Sequence, residues 1–364
     1  MNRELTNLIK IIAAVLVVGI HATANSEQRF RAAHDYFSLD FISILFNQIA
    51  RFSVPIFIYF SAFGLAQSHK NDLADKSISW IAFVRNFYAK RIPSILLPYL
   101  LLSLLSLTLQ KKFIFSWETL DILRYGRADY HLYFLIILLQ CYLLFPFLLI
   151  AFFRAPKISA FSWIAFSTAV MLLFLKGTSD FVLGFLQIAH PGWNGAFAVY
   201  LLPYFLLGIY HANKPQEPSR LSAFWFLITI LSLIWVIFEY IKDSYLFDNA
   251  MYYNHFIRIS VFIYTFSFIE FLRHINASRI IQFKILSPLA GLTFGVYLWH
   301  PQILRLFEMS FPSAPTIIAW IVVVVVSFAL IKSILMALQY AERRSKTNVF
   351  IKIIFFTQKI CGIR

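Results

Sequence analysis

The sequence is short of charge. Asp, Glu, Lys and Arg together make up 13% of its 364 residues, about half of what a soluble domain carries on its surface. A chain of this length would ordinarily form two water-soluble domains, and the scarcity of charged groups excludes that arrangement. Cysteine is nearly absent. Cys141 lies in an apolar run and Cys361 near the C-terminus, too few for a disulfide framework or a Cys-rich metal site. Acidic residues number 17 against 32 basic ones and fall almost wholly in loops or at the ends of apolar runs, so the chain lacks a mid-membrane carboxylate relay. The net charge of +15 comes without a basic helix or an aromatic-basic RNA motif, which argues against nucleic acid as a partner. Such charge suits the cytoplasmic flank of a membrane protein facing anionic lipid.

What the chain has in plenty is apolar. Hydrophobic residues make up 60%, aromatic residues 18%, with 41 Phe, and the mean hydropathy is +0.72. A spanning helix needs about 20 apolar residues. Runs of that kind occur at 6–24, 48–67, 92–110, 131–153, 159–175, 195–211, 222–240, 255–272, 285–304 and 315–338. They predict an all-α polytopic transmembrane bundle of about ten spans. The first run is too long for a signal-peptide core and has no small-residue cleavage site, so it reads as the first helix. Lys and Arg concentrate in the segments that an inside N-terminus places in the cytoplasm, among them Arg3, Lys70, Lys90, Arg154, Arg220 and Arg273. An even number of spans then puts both termini in the cytoplasm. Residues 1–338 read as the membrane domain and 339–364 as a basic-apolar cytoplasmic tail, with Val349 to Phe356 lying on the membrane surface.

Ionisable groups inside a span are costly and mark functional sites. In the first run Lys10 and His21 are eleven steps apart. Eleven steps make about three helical turns, so both fall on nearly one face, about 16 Å apart along the axis. Asn7 lies one turn below Lys10. The second run brings Arg51 with Pro55, which leaves a backbone carbonyl unbonded, and Ser61. Lys90 and Arg91 precede Pro93 on the cytoplasmic side. His131 opens the fourth run from outside, and Tyr297 and His300 close the ninth. Glu239, Glu270 and Arg258 stand at the ends of runs and read as interfacial, and Cys141 as core. No His-x-x-x-His or similar spacing points to a metal.

These residues resemble the acyltransferase family 3 of integral membrane proteins, which move acyl groups onto sugars and other cell-envelope hydroxyls. The resemblance rests on Lys10 with His21, on Arg51-Phe52-Ser53-Val54-Pro55-Ile56-Phe57 leading to Ser61-Ala62, and on His131-Leu132-Tyr133-Phe134 with Tyr142 and Pro146. Phe205-Leu206-Leu207-Gly208 and Tyr297-Leu298-Trp299-His300 complete the series. Asn7 stands where the family commonly has Asp. Arg91-Ile92-Pro93-Ser94 lacks the second Arg of the family's cytoplasmic pair, and Lys90 offers a point charge beside it.

The resemblance implies a bacterial inner-membrane O-acyltransferase that uses acyl-CoA, acetyl-CoA by default, without a metal. The acceptor would be a hydroxyl of an extracytoplasmic or lipid-linked envelope polysaccharide. Acyl transfer from a thioester needs a base for the hydroxyl proton, and an imidazole suits neutral pH. It also needs positive charge or donors at the developing oxyanion. In this reading His21 is the base and Arg51 meets the oxyanion. Lys10, Lys90 and Arg91 hold the donor's phosphates, while His131, Tyr297 and His300 face the acceptor. A transporter or flippase is the alternative, favoured by proline- and glycine-broken helices and opposed by the missing inverted repeat and carboxylate relay.

Overall fold

The computed structural model describes residues 2–33, 35–74, 79–112, 116–154, 157–176, 197–214, 219–247, 256–276, 285–344 and 357–358. Every regular element among the described residues is helical. In chain order the helices are α1 (Arg3–Ala22), α2 (Ala24–Ala33), α3 (Leu39–Ile49), α4 (Ser53–Ala74), α5 (Trp80–Arg91), α6 (Pro93–Leu109) and α7 (Trp117–Tyr125). They continue with α8 (Tyr133–Arg154), α9 (Lys157–Lys176), α10 (Leu202–Ala212), α11 (Leu221–Phe247), α12 (Ile259–His274), α13 (Leu286–Ser310) and α14 (Thr316–Arg344). Single 3-10 turns cover Ala50–Phe52 and Ala198–Tyr200.

Six stretches among the described residues are long and apolar enough to cross a membrane: Arg3–Ala22, Leu39–His69, Trp80–Leu109, Tyr133–Phe152, Leu221–Lys242 and Thr316–Arg344. The remaining four expected spans also fall on helices but miss that standard, each for its own reason. α10 has 11 residues and α12 has 16, too short for a hydrocarbon core of about 30 Å at 1.5 Å per residue. The apolar described stretch of α9 is limited to Ser162–Met171. α13, at 25 residues, is long enough, but Thr293, Tyr297, His300 and Gln302 make it too polar. All four of those residues are buried, as polar groups on a helix facing the protein interior should be. The C-terminal helix runs past the expected end of the membrane domain to Arg344, and Val349 to Phe356 lie outside the described residues.

The chain divides into two compact units. One comprises Met1–Ile56 and Gln216–Arg364, the other Phe57–Pro215. In the first, α13 packs against both α1 and α14, and α11 pairs with α12. Its core holds Val18, Ala22, Val296, Leu304, Ala319 and Val323. Small residues on α1 (Ala13, Ala14, Gly19 and Ala22) let neighbours approach closely. At Gly19 a Cβ would stand 2.6 Å from the Trp320 ring, whose Nε1 donates to the Val15 carbonyl at 2.9 Å. Along α14, Ala319, Val323, Ser327 and Ile331 recur every four residues on the buried side, as helical periodicity requires of an inward stripe. Ile318, Ile321, Val325 and Val326 are exposed and fit acyl chains rather than water.

In the second unit α10 is buried along most of its length, from Pro203 to Ile209. Its closest approach is to α4. A Cβ at Gly208 would meet the Tyr59 carbonyl oxygen at 2.4 Å and Ala62 Cβ at 2.8 Å. Backbone cannot give way as a side chain can. One turn on, Tyr59 Oη and His211 Nδ1 are 3.1 Å apart, both buried. Cys141 is buried as expected. Gly208→Ala is therefore expected to force the two helices apart and to cost about 1–3 kcal/mol, seen as a lowered thermal unfolding midpoint in detergent. An unchanged midpoint would mean that α4 and α10 do not cross there.

Candidate active site

α1 carries the first two expected site residues. Asn2 caps its N-terminus, its side chain accepting from the Glu4 N–H at 2.8 Å, and Glu4 complements the positive end of the helix dipole. The helix is unbroken to Ala22, so Lys10 and His21 stand on one continuous rod. Both are half-buried. At the other end Thr23 closes the helix, its N–H and its hydroxyl both bonding the Gly19 carbonyl, the hydroxyl at 2.7 Å. His21 thus occupies the last turn, where carbonyls run out of helical partners.

α13 brings the second imidazole. The His300 ring stacks on the His21 ring with centroids 5.3 Å apart and planes 28° from parallel. His300 is fully buried. Its Nδ1 contacts two backbone carbonyls, Tyr297 at 2.8 Å and Val296 at 3.2 Å. A carbonyl only accepts, so Nδ1 must carry the proton. In the neutral ring Nε2 then holds the lone pair. The Tyr297 ring lies 5.9 Å from that of His300.

Arg51 arrives from a different direction. Pro55 has no N–H to give the Arg51 carbonyl, and just ahead of it the chain tightens into the 3-10 turn Ala50–Phe52 between α3 and α4. Arg51 is buried. Its guanidinium donates to Asn47 Oδ1. The Asn47 Nδ2 donates to the Ile20 carbonyl and to Thr23 Oγ1, both at 3.0 Å. Because arginine can only donate, the amide orientation is fixed, with oxygen toward Arg51 and nitrogen toward the end of α1. Through Asn47 the guanidinium is tied to the last turn of α1, the turn that carries His21. Two imidazoles and a guanidinium therefore meet at the last turn of α1.

The other expected site residues belong to the second unit. His131 is buried in the turn before α8. That turn is held by the Leu132 N–H on the Asp129 carbonyl at 3.1 Å and by Ser106 on the Asp129 carboxylate at 2.8 Å. Lys90 is exposed and Arg91 half-buried at the end of α5. The Arg91 carbonyl accepts from the Ser94 hydroxyl at 2.7 Å as α6 begins at Pro93. Ser61 Oγ and Tyr142 Oη are 2.7 Å apart. Among the described residues, no three His, Cys, Asp or Glu side chains gather as metal ligands would.

A family model described as an acyltransferase domain matches residues 6–336, nearly the whole chain. The chain belongs to acyltransferase family 3. No curated protein and no solved structure matches it. With its apolar helices, it is a membrane acyltransferase.

In this acyltransferase the residues missed from sequence are those that hold Arg51. Asn47 and Gln48 are uncharged and drew no notice, yet both are buried. Arg258, read as interfacial, is buried as well. Its Nη2 donates to Gln48 Oε1 at 2.7 Å and its Nη1 lies 3.4 Å from Glu239. The available signal was the pair of amides on consecutive residues of an apolar run, four and three residues before an arginine. Asn47→Ala removes the acceptor for Arg51 and the donor for the Ile20 carbonyl together. It is expected to cost about 1–3 kcal/mol, read as a lower unfolding midpoint, and to reduce acyl transfer as well. Wild-type stability and activity in this variant would show that the bridge carries neither.

Proposed function

We propose that this acyltransferase moves an acyl group, acetyl in the simplest case, from cytoplasmic acyl-CoA to a hydroxyl of an extracytoplasmic or lipid-linked cell-envelope polysaccharide in a bacterial inner membrane. The observation that carries the reading is the His21 ring stacked on His300, with Arg51 tied to the same helical turn through Asn47. His21 accepts the proton of the acceptor hydroxyl as its oxygen attacks the thioester carbonyl. A C–O bond forms, and the carbonyl oxygen takes up negative charge facing the Arg51 guanidinium. Collapse breaks the C–S bond, and the departing thiolate takes the proton back from His21. No net proton is gained or lost.

Lys10, about 16 Å down the same helix from His21 by the helical rise, offers a cation for the donor's phosphates. Lys90 and Arg91 carry the same proposed role in their own unit, Arg91 with a fork suited to phosphate and Lys90 as a point charge. His131 and Tyr297 are assigned to the acceptor. His300, being fully buried, meets it only through the His21 ring it supports.

His21→Ala is expected to lower transfer by about a hundredfold or more, the usual contribution of a positioned base. The measurement is mass spectrometry of envelope glycans from a deletion strain carrying either the wild-type chain or the variant. The acyl increment should return with the first and not with the second. Full acylation by the variant overturns the base assignment, and an acceptor that crosses the bilayer unmodified overturns the enzyme reading altogether.

A further inference from the structure

Arg51 is held by an unusual support. It sits on a three-residue 3-10 turn between α3 and α4, so its geometry depends on what grips the residues on its two sides. Several of those grips come from α12 or the residue just before it, beside the Asn47 bridge to the end of α1. On the N-terminal side, Arg258 donates to Gln48 at 2.7 Å, and the Tyr264 hydroxyl donates to the Ile49 carbonyl at 3.2 Å. On the C-terminal side, the Phe52 ring meets Phe268 edge-on at 4.8 Å and Tyr264 at 5.8 Å. Arg258 is anchored in turn on α11, by the Val236 carbonyl and the Glu239 carboxylate, each at 3.4 Å, and Ser260 donates to the same carboxylate. A buried arginine in an apolar bundle is costly unless bonded, and here one of its bonds ends on Gln48, two residues before the turn that carries Arg51.

We propose that Tyr264 and Arg258 are positioning residues for Arg51: together they clamp the 3-10 turn so that its guanidinium is aimed before substrate arrives. This rests on the reading above that Arg51 meets the developing oxyanion. Preorganised charge needs no rearrangement as the reaction proceeds, and small misplacements of such a group lower the rate severely. Tyr264 touches the Arg51 segment with both its ring and its hydroxyl, whereas Arg258 acts one helical residue further back.

The test is a double-mutant cycle on the full chain in proteoliposomes supplied with total envelope extract as acceptor. Acetyl-CoA is the probe, and release of free thiol is the readout. Tyr264→Phe removes only the hydroxyl and keeps the ring. It is expected to lower kcat about tenfold, the equivalent of one hydrogen bond, with KM for acetyl-CoA unchanged. In an Arg51→Ala background the same substitution is expected to cause no further loss. A general structural effect would instead lower activity equally in both backgrounds, and that additive result overturns the clamp while leaving the role of Arg51 intact. An unchanged kcat in Tyr264→Phe overturns it too. Should Arg51→Ala alone leave kcat unchanged, the oxyanion reading fails first and the clamp with it. If Tyr264→Phe does not fold, Phe268→Leu loosens the other side of the turn and is judged by the same coupling.

Discussion

The last turn of α1 is tied to the turn that carries Arg51 by one side chain, that of Asn47. Its amide nitrogen serves the Ile20 carbonyl and Thr23, while its oxygen takes the Arg51 guanidinium. In water such a bridge would compete with solvent on equal terms. Inside an apolar bundle there is little solvent to compete, and a group left unmet is expensive. The consequence is that three features are not independent: the place where α1 ends, the orientation of the 3-10 turn, and the position of the Arg51 guanidinium. The stack of His21 on His300 depends on the same turn, because the ring leaves α1 one residue after Ile20.

Close packing carries that constraint outward. Gly19 lets Trp320 lie against α1, and Trp320 in turn donates to Val15. Thus α14 grips the helix just below the imidazole, while α13 supplies the ring that backs it. The polar character that keeps α13 from qualifying as a lipid-facing span is the same property that equips it for this place. A helix facing lipid cannot carry Thr293, His300 and Gln302; one enclosed by α1 and its neighbours can bury all three.

Much of this was legible in the sequence, and for a physical reason. Charged groups within apolar runs stand out because lipid forbids them, so Lys10, His21, Arg51 and His300 could be singled out without coordinates. Helix positions were legible too, since each of the ten apolar runs falls on a helix. How many of them qualify as spans was not, because α10 and α12 are short and α13 carries buried polar residues, and hydropathy shows neither where a helix ends nor what surrounds it. Asn47, Gln48 and Tyr264 were invisible for the opposite reason. Neutral polar residues are common in membrane helices, and only the partner reveals whether one of them bridges two helices or bonds its own backbone, as Thr229 does with the Trp225 carbonyl. Arg258 reads as interfacial in the sequence, because a basic residue at the end of a run ordinarily reaches for the head groups, whereas in the structure it is buried and bonds Gln48.

That burial bears on how a membrane protein can hold a cation ready for chemistry. A buried guanidinium matched tightly to a carboxylate would be stable, but its charge would be largely spent on its partner and of little use to a developing oxyanion. The arrangement here separates the two tasks. Arg258 has the carboxylate of Glu239 and a structural duty. Arg51 donates to a neutral amide, which fixes its direction. Two arginines on adjacent supports thus divide the work, one bonded to a carboxylate and the other directed by an amide that also holds the end of α1. The two uncharged amides on α3, Asn47 for Arg51 and Gln48 for Arg258, carry that division.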